Sequence, residues 1–397
     1  MSARFPYVFI LASLSLLNGC GGSATQSAAV QDAPTLTQER AVSAASSTPT
    51  LVVAPTETSA SSEAQEPSEA LNPLTGLPPA APLLLDRRPI AVKVANYPRY
   101  MRPQSGLTLA DQVFEYYIES ELTRFVAVFY GNDSEWVGPV RSGRYFDEHV
   151  QRMYQAYLVF KFADPRELNY FRSSDFARFL VTPTNGLCPP FHFLAERART
   201  VEQYNNSYFD TTRWKDCAAH NGMDDDHPTL RAEYFSESAP RGDLPGVRVY
   251  TYYSVDSYHY WEYAPETHLY YRYQETADSR KGEEIYEALM DRVTGEQVHA
   301  ANVVVLFANH TFANSYDRDD EVFQIDLNGS GEAYLFRDGE GFLARWQRTD
   351  LDQPLLLTTL SNNPIPLRPG ITFYEVIGLR SDVDQGDGEW SFHHYWP

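Results

Sequence analysis

Four arginines lie near polar residues in the first half of the chain: Arg102, Arg124, Arg141 and Arg144, with Gln104, Ser105 and Ser142 beside them. A guanidinium group binds a carboxylate or a phosphate through two parallel hydrogen bonds. Each arginine falls in a predicted loop or at the end of a predicted element, where ligand sites are common. The cluster therefore predicts an anion-binding site, and the alternative is that these arginines pair with carboxylates of the same chain.

Three carboxylates, Asp111, Glu115 and Glu119, recur at steps of four residues within a segment that we predict to be helical. Such steps place side chains on one face of a helix. Two carboxyl groups near one another can act as acid and base on a glycosidic bond. A solvated helix face produces the same pattern more often, so the spacing is weak evidence for catalysis.

The chain contains three cysteines, and the interpretation of two of them depends on the first, Cys20. If Cys20 carries lipid, Cys188 and Cys217 are available to form a disulfide, the usual state of exported thiols. A bridge across about 29 residues would stabilise the fold by about 3 to 4 kcal/mol in the chain-entropy description. The alternative is a zinc site, because Cys188 and His192, with Cys217 and His220, have compatible spacings.

Composition narrows the classes of function. The formal net charge is -21 at pH 7, whereas proteins that bind phosphate backbones need basic surfaces, so nucleic-acid binding is disfavoured. The sequence has no phosphate-binding loop, dinucleotide fingerprint or nucleophile elbow, and we predict no cofactor. The 27 tyrosines are attributed to packing across the strands of sheets.

The N-terminus predicts export and lipid attachment. Phe5 to Leu17 is an apolar run of the length of a signal-peptide core, and it leads into Leu17-Asn18-Gly19-Cys20, which resembles a lipobox. We predict a signal peptide over residues 1–20 and a lipid anchor at Cys20, on the extracytoplasmic face of a cell membrane. Residues 21–71 are rich in Ser, Ala, Thr and Pro and predict a disordered tether with a reach of roughly 40 Å.

The elements that would position the candidate residues form two predicted domains, at residues 72–240 and 246–378, before a polar tail at 379–397. In the first domain, Leu107 to Glu121 has the apolar spacing of a helix. Alternation of strands and helices indicates a mixed α/β layered domain. The other predicted elements there are strands at 90–96 and 125–130 and helices at 144–155, 165–178 and 194–204.

The second domain is predicted to be mainly β, which makes the whole chain α+β. Turn signals such as Asn328-Gly329 and Asp338-Gly339 separate apolar runs of strand length. The tail that follows is polar, and we expect it to be loosely held apart from its last aromatic residues. The predicted strands are 247–253, 258–263, 268–273, 303–308, 322–327, 333–336, 342–346, 355–359 and 371–377.

Several short motifs recur in the order seen in a known family. They include Asn72–Pro78 (NPLTGLP), Arg102–Leu107 (RPQSGL), Gly138–Ser142 (GPVRS) and Ala333–Phe336 (AYLF). In these stretches the chain resembles the YerB-like bacterial lipoproteins, which pair an N-terminal and a C-terminal domain of unknown function. The resemblance implies a lipid-anchored protein and assigns no reaction. The chain departs from the family pattern at Phe160-Lys161-Phe162, where that pattern has a histidine.

We therefore expect a surface-anchored binding protein that holds an anionic envelope component, such as a cell-wall polymer, through the arginine cluster. A rival hypothesis is an envelope hydrolase or transferase that acts on glycan or peptide with Glu115 or Glu119 and Ser142. A third is a scaffold whose β domain binds another protein.

Overall fold

The computed structural model describes residues 70–183, 190–194, 205–238, 241–313 and 320–395. Strands predominate over helices throughout these ranges. Across the same ranges, no helix has both the length and the apolar character needed to cross a membrane. The predicted signal peptide, the anchor at Cys20 and the tether fall outside the described residues.

Strands and short helices alternate in the first half of the chain. The strands are β1 (Ile90–Ala95), β2 (Gln112–Tyr117), β3 (Thr123–Phe129), β4 (Tyr157–Val159), β5 (Leu180–Val181), β6 (Phe191–Phe193) and β7 (Ser207–Phe209). The helices are α1 (Asp147–Tyr154), α2 (Pro165–Ser173) and α3 (Trp214–His220). The predicted strands at 90–96 and 125–130 and the helices that overlap α1 and α2 are confirmed, whereas nearly all of the predicted helix 194–204 lies outside the described residues.

The second half consists of strands. They are β8 (Leu244–Pro245), β9 (Arg248–Tyr252), β10 (Tyr258–Ala264), β11 (Leu269–Glu275), β12 (Tyr286–Ala288), β13 (His299–Ala300), β14 (Asn302–Phe312), β15 (Phe323–Asp326), β16 (Gly329–Arg337), β17 (Glu340–Arg348), β18 (Leu356–Thr358), β19 (Thr372–Gly378), β20 (Asp382–Gly386) and β21 (Glu389–His393). Each of the nine strand runs predicted here overlaps one of these strands.

A single large sheet runs through both halves of the chain. Its strand order is β18-β17-β16-β14-β19-β2-β3-β1-β4-β5, with β15 paired to β14 and β8 paired to β17. The two halves meet where β19 pairs in parallel with β2, and this register sets Glu375 opposite Glu115. The predicted domain boundary between residues 240 and 246 therefore does not correspond to a boundary between sheets.

A second sheet, of order β12-β11-β10-β9-β21-β20 with β13 paired to β11, covers one face of the large sheet. Trp261 of β10 packs on Phe373 of β19, with ring centroids 4.7 Å apart. The tail is held more extensively than by its last aromatic residues, because β20 and β21 form a hairpin and β21 pairs in parallel with β9. Buried Trp390 and Phe392 fix that hairpin to the core.

Strand β2 is covered on both faces, and this explains a wrong prediction. Tyr116 faces α1, with its ring 4.2 Å from that of Phe146, whereas Glu115 points the other way and accepts a hydrogen bond from Arg272 of the second sheet. All six residues of β2 are buried. A strand buried on both faces lacks polar alternation, and its apolar residues mimicked helical spacing, so the predicted helix Leu107–Glu121 is instead a turn followed by a strand.

Tyrosines on the outer face of the second sheet pack across neighbouring strands. The Tyr250 and Tyr260 ring centroids lie 5.1 Å apart, and those of Tyr260 and Tyr273 lie 4.7 Å apart with nearly parallel planes. The cross-strand packing expected from the abundance of tyrosine is confirmed on this face.

Candidate functional site

The four arginines singled out in the sequence do not meet at one point. Arg102 donates to Glu275 of β11 at 2.9 Å, and Arg141 donates to the side-chain oxygen of Asn205 at 2.7 Å. Arg124 and Arg144 do come together, at Glu119. The nearby candidates Gln104 and Ser105 are fully buried, and Ser142 offers Arg124 its backbone carbonyl at 2.8 Å.

Glu119 lies just after β2 and forms ion pairs with the guanidinium groups of Arg124 and Arg144. Arg144 donates from Nε to one carboxylate oxygen at 2.7 Å and from Nη2 to the other. Arg124 Nη2 lies 3.6 Å from Glu119 Oε1. Burial opposes the ionisation of Glu119, but the two arginines outweigh it and hold the pKa of Glu119 below its ordinary value. Glu119 is therefore a carboxylate at neutral pH.

A second set of polar and charged groups lies close enough to Arg124 and Arg144 for their charges to act on it. Lys93 of β1 is fully buried, and its Nζ lies 2.9 Å from Asp147 at the start of α1. Tyr116 donates to the same Asp147 oxygen at 2.5 Å and also contacts Lys93. Burial lowers the pKa of Lys93 to about 7, and repulsion from the two arginines adds to that effect against the attraction of Asp147. A lone lysine in the apolar run Ile90–Ala95 was the sequence signal for this group.

A cavity of about 380 Å³ opens beside Arg144. Carboxylates outnumber guanidinium groups in its wall by five to two. The lining residues are Glu119, Ser120, Arg144, Asp164, Arg166, Glu167, Asp320, Glu321 and Val322. Because concave sites with perturbed ionisable groups are typical of ligand binding, this cavity is the candidate functional site.

Glu167, in the first turn of α2, is the least satisfied group in this wall. It is fully buried, and one of its oxygens, Oε1, accepts the backbone N–H of Tyr145 at 3.2 Å. Its other oxygen, Oε2, makes no hydrogen bond and lies 3.7 Å from Arg144 Nη1. Burial raises the pKa of Glu167 to about 7; the charges of Glu119 and Asp147 act in the same direction, and that of Arg144 acts against it. We call Glu119, Arg124, Arg144 and Glu167 the cavity cluster.

Sequence reasoning found three of these four residues and missed Glu167. Nothing in the local pattern of α2 distinguishes Glu167 from an ordinary acidic residue in a first helical turn. Its environment comes from the packing of α2 beside the segment that carries Arg144, which the sequence does not reveal.

The remaining two acidic candidates lie in separate environments, so the three do not form one catalytic stripe. Asp111 accepts the backbone N–H groups of Tyr130, at 2.5 Å, and Gly131, at 2.9 Å, and the side chain of Asn72 at 2.8 Å. This carboxylate links Asn72 to the end of β3. Its role is structural, because all of these partners are groups of the fold itself.

Glu115 belongs to a buried network between the two sheets, which we call the interlayer cluster: Glu115, His259, Arg272 and Glu375. Arg272 donates to Glu115 at 2.5 Å and to Glu375 at 3.2 Å. His259 Nε2 lies 3.0 Å from Glu375, and the ring's other nitrogen lies 3.8 Å from Glu115. Burial, reinforced by Arg272, keeps the pKa of His259 well below its ordinary value, so the ring is neutral.

The interlayer cluster has the side chains of a metal site. One ligand atom from each of Glu115, His259 and Glu375 lies within 4.8 Å of the others, the one such grouping among the residues described. A metal fits poorly, because the guanidinium of Arg272 already supplies the positive charge between the two carboxylates. The cluster therefore acts as an ion pair that joins the sheets.

Cys217, in α3, is disulfide-bonded. Cys188 falls outside the described residues, so its pairing with Cys217 remains a prediction. A disulfide sulfur is not the thiolate that zinc binds, which favours the bridge over the zinc alternative. His192 contacts Asp210 at 3.1 Å, and His220 is exposed at the end of α3.

Two family models match the chain. The N-terminal domain of DUF3048, a protein family of unknown function, matches residues 74–224, and the C-terminal domain of the same family matches residues 248–374. The chain is 27% identical over 317 residues to "Putative lipoprotein YerB" from Bacillus subtilis (strain 168), a match that covers 76% of this chain and 86% of that protein.

The fold agrees with that relationship. A crystal structure of the YerB protein from Bacillus subtilis superimposes with a TM-score of 0.64 at 25% sequence identity, covering 78% of this chain and 96% of the other. The two domain matches occur in the family's order and span both halves of the large sheet. The chain belongs to the family of YerB-like proteins that join the N-terminal and C-terminal DUF3048 domains.

Proposed function

We propose that this chain is a lipid-anchored binding protein on the extracytoplasmic face of a cell membrane, and that its ligand occupies the cavity beside Arg144. The observation that carries the proposal is Glu167, a fully buried carboxylate in the cavity wall whose Oε2 accepts no hydrogen bond and lies 3.7 Å from Arg144 Nη1. Leaving a buried polar atom unpaired costs about 1 to 3 kcal/mol. A ligand that pairs with this oxygen would recover that energy.

Two features support the anchored location. The motif Leu17-Asn18-Gly19-Cys20 follows an apolar run of signal-peptide length, and the relative from Bacillus subtilis is named as a lipoprotein. A Cys20→Ser variant is expected to leave the membrane fraction and appear in the soluble extracytoplasmic fraction. If the variant still sediments with membranes, lipid on Cys20 is not the anchor.

The arginines support a polar ligand better than an anionic one. Arg144 is engaged by Glu119, and Arg166 is shared between Asp164 and Asp320. With both guanidinium groups of the cavity paired, carboxylates remain in excess there. This pairing weighs against the anionic envelope component expected from the sequence.

A hydrolase is the second candidate, and one observation favours it. Glu119 and Glu167 line the same cavity with pKa values displaced in opposite directions, which is the pattern of an acid and base pair. Binding is preferred because both oxygens of Glu119 already accept hydrogen bonds from Arg144. Release of soluble fragments from purified cell wall by the wild type, abolished in Glu167→Gln, would favour the hydrolase.

Hydrogen–deuterium exchange tests the binding proposal without knowledge of the ligand. The complete exported chain is incubated with an extract of the cell envelope, and backbone exchange is compared with that of the protein alone. We expect protection in peptides that cover residues 119–121, 164–167 and 320–322. Protection confined to other surfaces, or none at all, would contradict the proposal.

A further inference from the structure

The charges in the cavity wall identify the kind of molecule that it takes. Building on the proposed function, we infer that the cavity binds a small organic molecule through a primary ammonium group, which hydrogen-bonds to Glu167 Oε2.

Three of the five carboxylates in the wall are hydrogen-bonded to its two guanidinium groups, which leaves the wall with a net negative charge. Arg144 holds both oxygens of Glu119. Arg166 donates to Asp164 at 2.8 and 3.0 Å and to Asp320 at 2.8 and 2.6 Å. Glu167 has only a longer contact with a cation, 3.7 Å from its Oε2 to Arg144 Nη1, and Glu321 makes no ion pair with any residue that the structure describes. The cavity is therefore electronegative, and it attracts a cation and repels an anion.

The acceptor geometry favours an ammonium over a guanidinium. The two oxygens of Glu167 differ, because Oε1 accepts the N–H of Tyr145 whereas Oε2 accepts no hydrogen bond. A guanidinium fork is best matched by two free oxygens of one carboxylate, whereas an ammonium directs three separate protons to three acceptors. Glu321 lines the same cavity, and its Oε2 accepts the backbone N–H of Ser120 at 2.8 Å, so it can supply a second acceptor.

The spread of the acidic groups disfavours a metal ion. Within the described ranges, the interlayer cluster alone brings three ligand atoms within 4.8 Å of one another, so the carboxylates of the cavity are farther apart. Calcium requires six to eight oxygens at about 2.3 to 2.6 Å. A cavity of about 380 Å³ also leaves room for several carbon atoms beyond an ammonium head.

Proton release should accompany binding. Burial raises the pKa of Glu167 to about 7, and an ammonium beside its Oε2 would lower that pKa by favouring the charged form. The charged groups that act on Glu167 are Arg144 from the segment before α1, Glu119 from the turn after β2 and Asp147 from α1. Since an aliphatic amine stays protonated to a pH of about 10, affinity should rise between pH 6 and pH 8 as Glu167 ionises.

Calorimetric titration of the complete exported chain with 1,5-diaminopentane tests the inference, with 1-pentanol as a neutral probe and calcium chloride as a metal probe. We expect the diamine to bind, with release of a fraction of a proton at pH 7 when buffers of different ionisation enthalpy are compared. The Glu167→Gln variant should bind at least about tenfold more weakly, as loss of a charge-assisted hydrogen bond of 1.5 to 3 kcal/mol implies, and should release no proton. Glu237→Gln, which removes an exposed carboxylate at a site outside the cavity lining, serves as the matched control and should bind like the wild type.

Thermal unfolding of each variant checks that it folds. We expect Glu167→Gln to retain a cooperative unfolding transition. Equal affinity in Glu167→Gln and the wild type, or heat from calcium with none from the diamine, would overturn the ammonium assignment. If the diamine does not bind while envelope extract still protects residues 164–167 from exchange, the assignment fails and the proposed function stands. If neither occurs, both fail.

Discussion

The interlayer cluster and the cavity cluster are both arginine–carboxylate networks, the first fully buried and the second partly exposed. They begin only four residues apart, at Glu115 and Glu119. In the interlayer cluster all four carboxylate oxygens are hydrogen-bonded: Asn96, Thr123 and Arg272 donate to Glu115, and Trp261, Arg272 and Tyr253 donate to Glu375. The cavity cluster leaves Glu167 Oε2 without a hydrogen bond, at 3.7 Å from Arg144 Nη1. The difference distinguishes a network that holds two layers together from one that retains an unused acceptor for a ligand.

The largest expected effect is in the interlayer cluster. Replacing Arg272 with Met removes the only cation between Glu115 and Glu375 in the described structure, and it leaves two carboxylates facing one another in the core. We expect the free energy of unfolding to fall by about 3 to 5 kcal/mol, the usual cost of breaking a buried pair from one side. Urea denaturation of the wild type and the variant at pH 7 measures this loss of free energy of unfolding.

Arg248→Met is the matched control for that experiment. Arg248 also bridges two carboxylates, Glu262 at 2.7 Å and Glu389 at 3.2 Å, but its side chain is 40% exposed. Water screens such pairs, and the expected loss is below about 1 kcal/mol. Equal losses in the two variants would show that burial is not what separates these networks.

The second prediction concerns the pH dependence of stability in the cavity cluster. The pKa of Glu167 is raised from about 4.5 unfolded to about 7 folded, so the folded state binds more protons between these values and wild-type stability falls as pH rises from about 4.5 to 7. Glu167→Gln removes this term. The variant should gain up to about 3 kcal/mol relative to the wild type by pH 8, as measured by urea denaturation between pH 4 and pH 8. A difference that does not change with pH would contradict the unsatisfied state of Glu167.

A smaller effect is expected from Thr123→Val, which keeps the side-chain shape and removes the hydroxyl that donates to Glu115 at 2.6 Å. The loss should be about 1 to 3 kcal/mol, since one buried acceptor loses a partner while Asn96 still donates to it. Denaturation of the single variant and of the double variant with Arg272→Met measures their coupling. Strict additivity would mean that the interlayer cluster is not one network.

The smallest expected change in stability is that of Glu321→Gln, at the rim of the cavity. Its carboxylate has no close cation in the described structure, so the free energy of unfolding should change by less than about 0.5 kcal/mol. The affinity for 1,5-diaminopentane should nevertheless fall, by less than in Glu167→Gln. A large loss of stability without loss of affinity would assign Glu321 to the fold.

The sequence predicted the elements well where one face of a strand is exposed to solvent or where a helix is amphipathic. The strands of the second sheet follow this rule: Arg248–Tyr252 shows alternating burial. The prediction of elements failed at β2, whose two faces are both covered. It also missed the hairpin of β20 and β21, because its acidic surface resembles that of a loop although Trp390 and Phe392 anchor it.

Part of the candidate site was predictable from residue type alone. Glu119, Arg124 and Arg144 were chosen because such groups bind ligands, but that they meet one another depends on the packing of α1 against β2 and β3. Lone charges in apolar strands, Lys93 in β1 and Glu375 in β19, were available signals that went unused. Glu167 carried no such sequence signal, because the missing hydrogen bond at its Oε2 arises only in the folded structure.

Strand β19 lies at the centre of the large sheet, between β14 and β2, yet it is among the last strands to be synthesised. Until residues 372–378 emerge, β2 offers an unpaired edge to any other chain that could add a strand. The first half of the protein must therefore wait for the C-terminus before its sheet is closed. A chain that ends before β19 would keep this edge exposed and would be prone to aggregate instead of folding as a smaller protein.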